Sequence, residues 1–70
     1  MKNLIKVERA RFNLSQTDLA TKVGVTRQTI YAIEQGKFLP SVLLAFKIAT
    51  VLNIEVSELF IMEDFDFDQS

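Results

Sequence analysis

Residues 15–36 read SQTDLATKVGVTRQTIYAIEQG, and the order of their hydroxyl, apolar and glycine positions decides the fold. Ser15 followed by Asp18 is a reciprocal capping pair. The hydroxyl accepts the N–H of residue 18 and the carboxylate accepts that of residue 15. Leu19, Ala20 and Val23 then supply one apolar face, so a short helix is predicted from about 15 to 23. Gly24 is suited to the left-handed backbone that closes a helix and turns the chain. Thr26 is a good N-cap for the next helix, whose inner face is Ile30 and Ile33 and which ends at Gly36. What remains unexplained by folding is a set of long polar side chains, Gln16, Arg27 and Gln28, at the openings of two successive helices.

Outward from this stretch the chain continues to read as helix. Leu4, Ile5, Val7, Glu8, Arg9, Arg11 and Phe12 suit an amphipathic helix of about three turns, broken by Asn13 and Leu14. After the loop GKFLP, which ends at Pro40, Ser41 can cap a further helix with Val42, Leu44, Ala45, Ile48, Ala49 and Leu52 inward. Asn53 is a plausible left-handed stop, and VSELF at 56–60 suits one or two more helical turns. The final IMEDFDFDQS has no helical period. It alternates, with Ile61, Phe65 and Phe67 on one parity and Met62, Asp64, Asp66 and Asp68 on the other, Glu63 being the exception. Three readings of this tail stand: a free acidic end, a phosphate mimic that covers a basic face, or a short strand over Leu59 to about Phe65. The strand would need a partner, either Met1–Leu4 or the same strand of a second copy paired about a two-fold axis.

Seventy residues with 49% hydrophobic content make one small domain with enough apolar material for a single core. The chain has no cysteine, so disulfides and thiolate metal sites are excluded. Lys47 interrupts the richest apolar run, VLLAFKIATVL, well short of a membrane span. No secretory apolar region is present near the N-terminus. A cytoplasmic protein is expected. The formal charge is −1, but it is unevenly spread. Residues 1–62 carry eight Lys/Arg against five acids, a net of +3, and the last eight residues add four acids. A mildly basic body with an acidic tail permits a nucleic-acid partner.

Two short helices joined by a tight turn make a helix-turn-helix. Here the segment LSQTDLATKVGVTRQTIYAIEQG, followed by P-S-V, A-F-K-I-A, L and E-L-F, resembles the phage repressor/Cro-type (XRE-like) family over about residues 4–60. The likeness is greatest to its short, single-domain, cytolysin-repressor-like members. The resemblance implies an all-α, five-helix, lambda-repressor-like DNA-binding domain over residues 1–60, with residues 61–70 an acidic tail or a dimerisation strand. It implies a sequence-specific regulator of transcription, a repressor, that binds double-stranded DNA at an inverted repeat as a homodimer.

Residue by residue, the resemblance makes Gln16 a contact to the DNA backbone that also braces the recognition helix. Thr17, Thr26, Thr29, Lys37 and Phe38 join it at the backbone. Helix N-termini favour such contacts because their unpaired N–H groups and partial positive charge attract phosphate. Arg27 and Gln28 would face base edges, where Arg forks onto guanine and Gln onto adenine, each worth roughly 1–3 kcal/mol of discrimination. Tyr31 shares the face of Arg27, and Ala32 lies where family members often carry a longer reader. Arg9 and Glu34 match a family ion pair between the first helix and the end of the recognition helix. Leu43, Phe46, Val51 and Phe60, with Ile61 and Phe65 of the tail, are the candidate dimerisation residues.

Other functions are poorly served. With no His or Cys and no clustered acids in the body, an enzyme is not expected. The tail's D-F-D-F-D lacks the glycine and the distal Glu of a calcium loop, so no metal and no cofactor are expected. The rival function is a protein-binding use of the same fold, as in an antitoxin that holds a toxin on a second surface.

Overall fold

The computed structural model describes residues 1–68, in the order β1 (Lys2–Asn3), α1 (Ile5–Arg11), α2 (Gln16–Val23), α3 (Arg27–Glu34), α4 (Val42–Val51), α5 (Val56–Leu59), β2 (Phe60–Ile61) and a 3-10 turn over Asp64–Asp68. Local chemistry fixes most of the helix boundaries. Ser15 and Asp18 form the reciprocal capping box at α2. Thr26 and Ser41 accept the backbone N–H of Thr29 and Leu44 to open α3 and α4.

The first four helices all close in the same way. Asn13, Gly24, Gly36 and Asn53 have φ of 55°, 78°, 74° and 53°. The residue after each returns its N–H to a carbonyl five positions back: Leu14 to Arg9, Val25 to Ala20, Lys37 to Ala32 and Ile54 to Ala49. Three of these four following residues, Leu14, Val25 and Ile54, pack against the core. The fourth, Lys37, is exposed.

The fully buried side chains Ile5, Leu19, Ile30, Ile33, Ile48, Leu52 and Leu59 come from every helix and form one core. Helix α2 packs chiefly on α3 and α4. Glu8, 7% exposed, is the buried charged residue of this core, and its carboxylate accepts from Arg11 at 3.0 Å. Truncating one of these aliphatics to Ala would cost about 2–5 kcal/mol in lost transfer energy and cavity formation.

Three expectations are corrected. Helix α1 spans seven residues, not three turns. The Leu4 N–H is taken by the Leu59 carbonyl at 2.9 Å, and left-handed Asn13 closes the other end. Leu4 and Phe12 therefore flank the helix.

Val42 is 75% exposed rather than inward. Its spacing matches Ala45 and Ala49, but the residues that pack on the core begin at Leu44. Periodicity gives a side chain's direction, not the extent of the layer beneath it.

The strand after α5 is only Phe60–Ile61, antiparallel to Lys2–Asn3 with Asn3 opposite Phe60 and Lys2 opposite Ile61. Met62 to Phe65 do not continue it. The Asp66 carboxylate accepts the Glu63 N–H at 2.7 Å, and the Asp66 N–H returns to the Glu63 carbonyl at 2.9 Å. This local side-chain bonding bends the chain into a turn at the expense of the ladder. Asp66 and Glu63 also meet the Met1 ammonium at 3.3 and 3.2 Å, so this part of the tail is tied to the N-terminus rather than free. Strand alternation turns Phe60 into the core and Ile61 outward.

Candidate nucleic-acid interface

The turn Gly24–Thr26 sets α3 across α2. Its inner face is buried at Ile30 and Ile33, while Arg27, Gln28 and Tyr31 look outward. At the open N-terminal end, Arg27 and Gln28 are both exposed. The Thr26 hydroxyl accepts the Thr29 N–H at 3.2 Å and lies 3.1 Å from the Thr29 hydroxyl. One turn further along the helix, Tyr31 is 47% exposed and Ala32 is half-buried. Thr17 of α2 and the loop residues Lys37 and Phe38 are exposed.

The opposite end of α3 is clamped. The Glu34 carboxylate receives Arg9 Nε at 2.7 Å, Arg9 Nη2 at 3.2 Å and Gln16 Nε2 at 3.0 Å. Arg9 Nη1 donates to the Leu14 carbonyl at 2.9 Å. One carboxylate thereby joins α1, α2 and α3. Bidentate, charge-assisted bonds of this kind fix orientation as well as adding energy. Gln16 is half-buried, with one amide hydrogen committed to Glu34 and its carbonyl and second hydrogen left for another partner.

At the start of α2 the Asp18 carboxyl is held below its ordinary value. The Ser15 backbone N–H contributes most, the Ser15 hydroxyl adds to it, and both outweigh the opposing effect of desolvation.

The candidate residues therefore fall into separate groups. Arg27, Gln28, Tyr31 and Ala32 lie together on α3, flanked by Thr26 and Thr29, while Arg9, Gln16 and Glu34 form the clamp behind them. Leu43 and Phe46 are exposed on α4, Val51 is half-buried, and Phe60 is a core residue. Ile61 and Phe65 are exposed near the chain's end. One residue of consequence was missed from the sequence. Asn3 donates its amide to the Ile33 carbonyl at 2.9 Å, on the last turn of α3. An Asn just before an apolar helix signals a cap, but nothing local points to a carbonyl thirty residues away.

Among the described residues no cluster of His, Cys, Asp or Glu is arranged to hold a metal ion, and no helix is long and apolar enough to cross a membrane.

The helix-turn-helix family model matches residues 5–59, from the first residue of α1 to the last of α5. The chain belongs to the helix-turn-helix family.

Among helix-turn-helix relatives, it is 56% identical to an HTH-type transcriptional regulator of Methanocaldococcus jannaschii, covering 91% of this chain and 97% of that protein. It is 48% identical to the HTH-type transcriptional regulator YgzD of Bacillus subtilis, covering 91% and 97%. Among solved structures it is similar to the restriction-modification controller protein C.AhdI of Aeromonas hydrophila. That match has a TM-score of 0.73 and 36% identity, and covers 80% of this chain and 85% of the controller. The all-helical expectation and the family resemblance agree with these comparisons.

Proposed function

We propose that this chain is a sequence-specific, double-stranded DNA-binding regulator of transcription, a repressor that occupies an inverted-repeat operator as a homodimer. The observation that carries the proposal is the first turn of α3. Two long side chains capable of bidentate base recognition, Arg27 and Gln28, are exposed at its open end. Its other end is clamped through Glu34. An exposed reading edge on a rigidly held helix is what direct readout in the major groove requires. The regulator names carried by the relatives support the transcriptional role.

In this proposal residues 1–60 are the DNA-binding unit. Arg27 reads guanine, Gln28 reads adenine, and Tyr31 and Ala32 meet the next base. Gln16 uses its second amide hydrogen on a phosphate, with Thr17, Thr26, Thr29, Lys37 and Phe38 along the same strand. The exposed Lys37 ammonium in the loop after α3 suits phosphate. Selection from random duplexes, followed by footprinting, tests the proposal. A palindromic consensus with half-sites about 34 Å apart is expected. Saturable binding of a single copy to one half-site, with no gain from a second, would defeat the dimeric operator.

A protein-binding role alongside DNA binding has one observation in its favour. Leu39, Val42, Leu43 and Phe46 leave a strongly exposed apolar surface at and before α4. A stable heterologous partner recovered in a pull-down would make the chain an antitoxin-type module. Recovery of the chain alone as a homodimer supports the plain regulator.

A further inference from the structure

We infer that Asn3 is a positioning residue for sequence readout, holding the far end of α3 from the N-terminal strand. The inference rests on the DNA-reading role proposed for α3.

Asn3 is fixed from three directions. Its backbone pairs with Phe60 in the two-stranded sheet, and the Phe60 side chain is anchored in the core. Its side-chain oxygen accepts the Ile5 N–H at 3.2 Å, satisfying one of the free donors at the start of α1. Its side-chain nitrogen donates to the Ile33 carbonyl at 2.9 Å. That carbonyl also accepts the Gly36 N–H at 3.0 Å, one of the bonds that close α3. Alongside, the Met1 carbonyl lies 3.7 Å from the position a Cβ on Gly36 would occupy. The N-terminal segment is therefore seated directly on the end of the recognition helix.

The Asn3 tie is separate from the Glu34 clamp. Glu34 joins α3 to α1 and α2 through side chains, whereas Asn3 joins it to the sheet through a backbone carbonyl. Two restraints on successive residues, reached from different elements, hold the tilt and position of α3 more tightly than the Glu34 clamp does alone. Arg27 lies six residues before Ile33, about 9 Å along the helix axis. A tilt of about 10° at the clamped end would move the reading edge by about 1.5 Å over that length. Bidentate base contacts tolerate less displacement than this, because hydrogen bonds weaken steeply as distance and angle depart from ideal. Phosphate contacts made by flexible lysines and backbone amides are more forgiving. Loss of the Asn3 tie should therefore erode discrimination before it erodes non-specific affinity.

The test uses Asn3→Ser in the full chain. Serine is neutral, keeps an oxygen near the Ile5 N–H and is too short to reach Ile33. Asn3→Ala serves the same comparison should the serine variant fold poorly. Two readouts are needed. Affinity for the selected operator is expected to drop tenfold or more, with affinity for a scrambled duplex within twofold of the parent. Independently of DNA, amide hydrogen exchange at Gly36 and Lys37 is expected to accelerate at least tenfold, with exchange of the core amides Leu19 and Ile48 nearly unchanged.

An unchanged operator-to-scrambled ratio, together with unchanged exchange at Gly36 and Lys37, overturns the role of Asn3. Faster exchange with an unchanged ratio also overturns it, leaving Asn3 a tie that does not affect reading. If the parent prefers no duplex at all, the DNA-reading proposal fails instead. Readout positioning falls with it, and the exchange data then report only whether the tie exists.

Discussion

Arg9 on the first helix grips Glu34 at the end of α3 with two bonds, Nε to Oε2 at 2.7 Å and Nη2 to Oε1 at 3.2 Å. The two side chains are only 13% and 5% exposed. Removing either member leaves a largely buried charge without its partner, which typically costs about 3–5 kcal/mol. Arg9→Ala and Glu34→Ala should therefore each lower the urea midpoint sharply, and the double variant should lose much less than the sum of the two. Additive losses would mean that the pair is not coupled.

Under the proposed function, base reading and phosphate contact should separate by mutation. Arg27→Ala and Gln28→Ala should relax preference at particular positions of the selected consensus. Each should cost about 1–3 kcal/mol on the preferred site. Lys37→Ala should weaken all duplexes alike and reduce the salt dependence of binding by about one charge. A consensus unaltered by Arg27→Ala would remove that residue from the readout.

Gly24 isolates the cost of backbone conformation. Its φ is 78°, and no heavy atom lies within 4 Å of where a Cβ would stand. Gly24→Ala therefore meets no steric neighbour and should lose only the left-handed penalty, about 1–2 kcal/mol. A thermal melt should show a drop of roughly 4–8 °C per kcal/mol for a domain of this size. No change would mean that the turn relaxes to another closure.

The joined chain ends make stability depend on pH in two windows. The Met1 ammonium is raised above its ordinary value of 8.0. Desolvation, the largest single effect, lowers it, but hydrogen bonds and charges from Glu63 and Asp66 together outweigh it. Its contribution is complete below pH 8.0 and is lost as pH rises through the higher folded value. The Asp66 carboxyl is lowered from 3.8, first by the Glu63 N–H, against desolvation, and then by the ammonium. Its contribution is present above 3.8 and fades as pH falls through the lower folded value. Asp66→Asn should flatten the alkaline decline in a denaturation series from pH 7 to pH 10. An equal decline in parent and variant would show that another group is responsible.

The proposed homodimer should form through α4. Leu43 and Phe46 are 66% and 57% exposed, whereas Phe60 is spent on the core and Val51 is half-buried. Phe46→Asp is expected to give a folded monomer with weakened operator binding in sedimentation and binding assays. Truncation after Phe60 should leave the dimer in place. A truncated chain that is folded yet monomeric would move the interface to the tail, where Ile61 and Phe65 are exposed.

Much of this protein was settled within a few residues of sequence. The capping box of Ser15 and Asp18, the caps at Thr26 and Ser41, the left-handed closures at Gly24 and Asn53, and the end of the third helix at Gly36 were all legible. Donor and acceptor in each lie three to five positions apart, so the residue types alone specify the bond. Arg27 and Gln28 could be placed on the first turn of α3 for the same reason, and the family resemblance brought Arg9 together with Glu34.

Tertiary structure decided what the chain ends do. The alternating apolar and acidic pattern left two partners open, Met1–Leu4 or a second copy, and gave no length, so it could not decide that Phe60–Ile61 would pair with Lys2–Asn3 and then stop. The Asn3 bond to Ile33 spans 30 residues, and the Met1 bond to Asp66 spans 65. Such contacts exist only once the core has brought the two ends of the chain to the same side of α3. Their energy depends on where the helices pack, a property no local stretch carries.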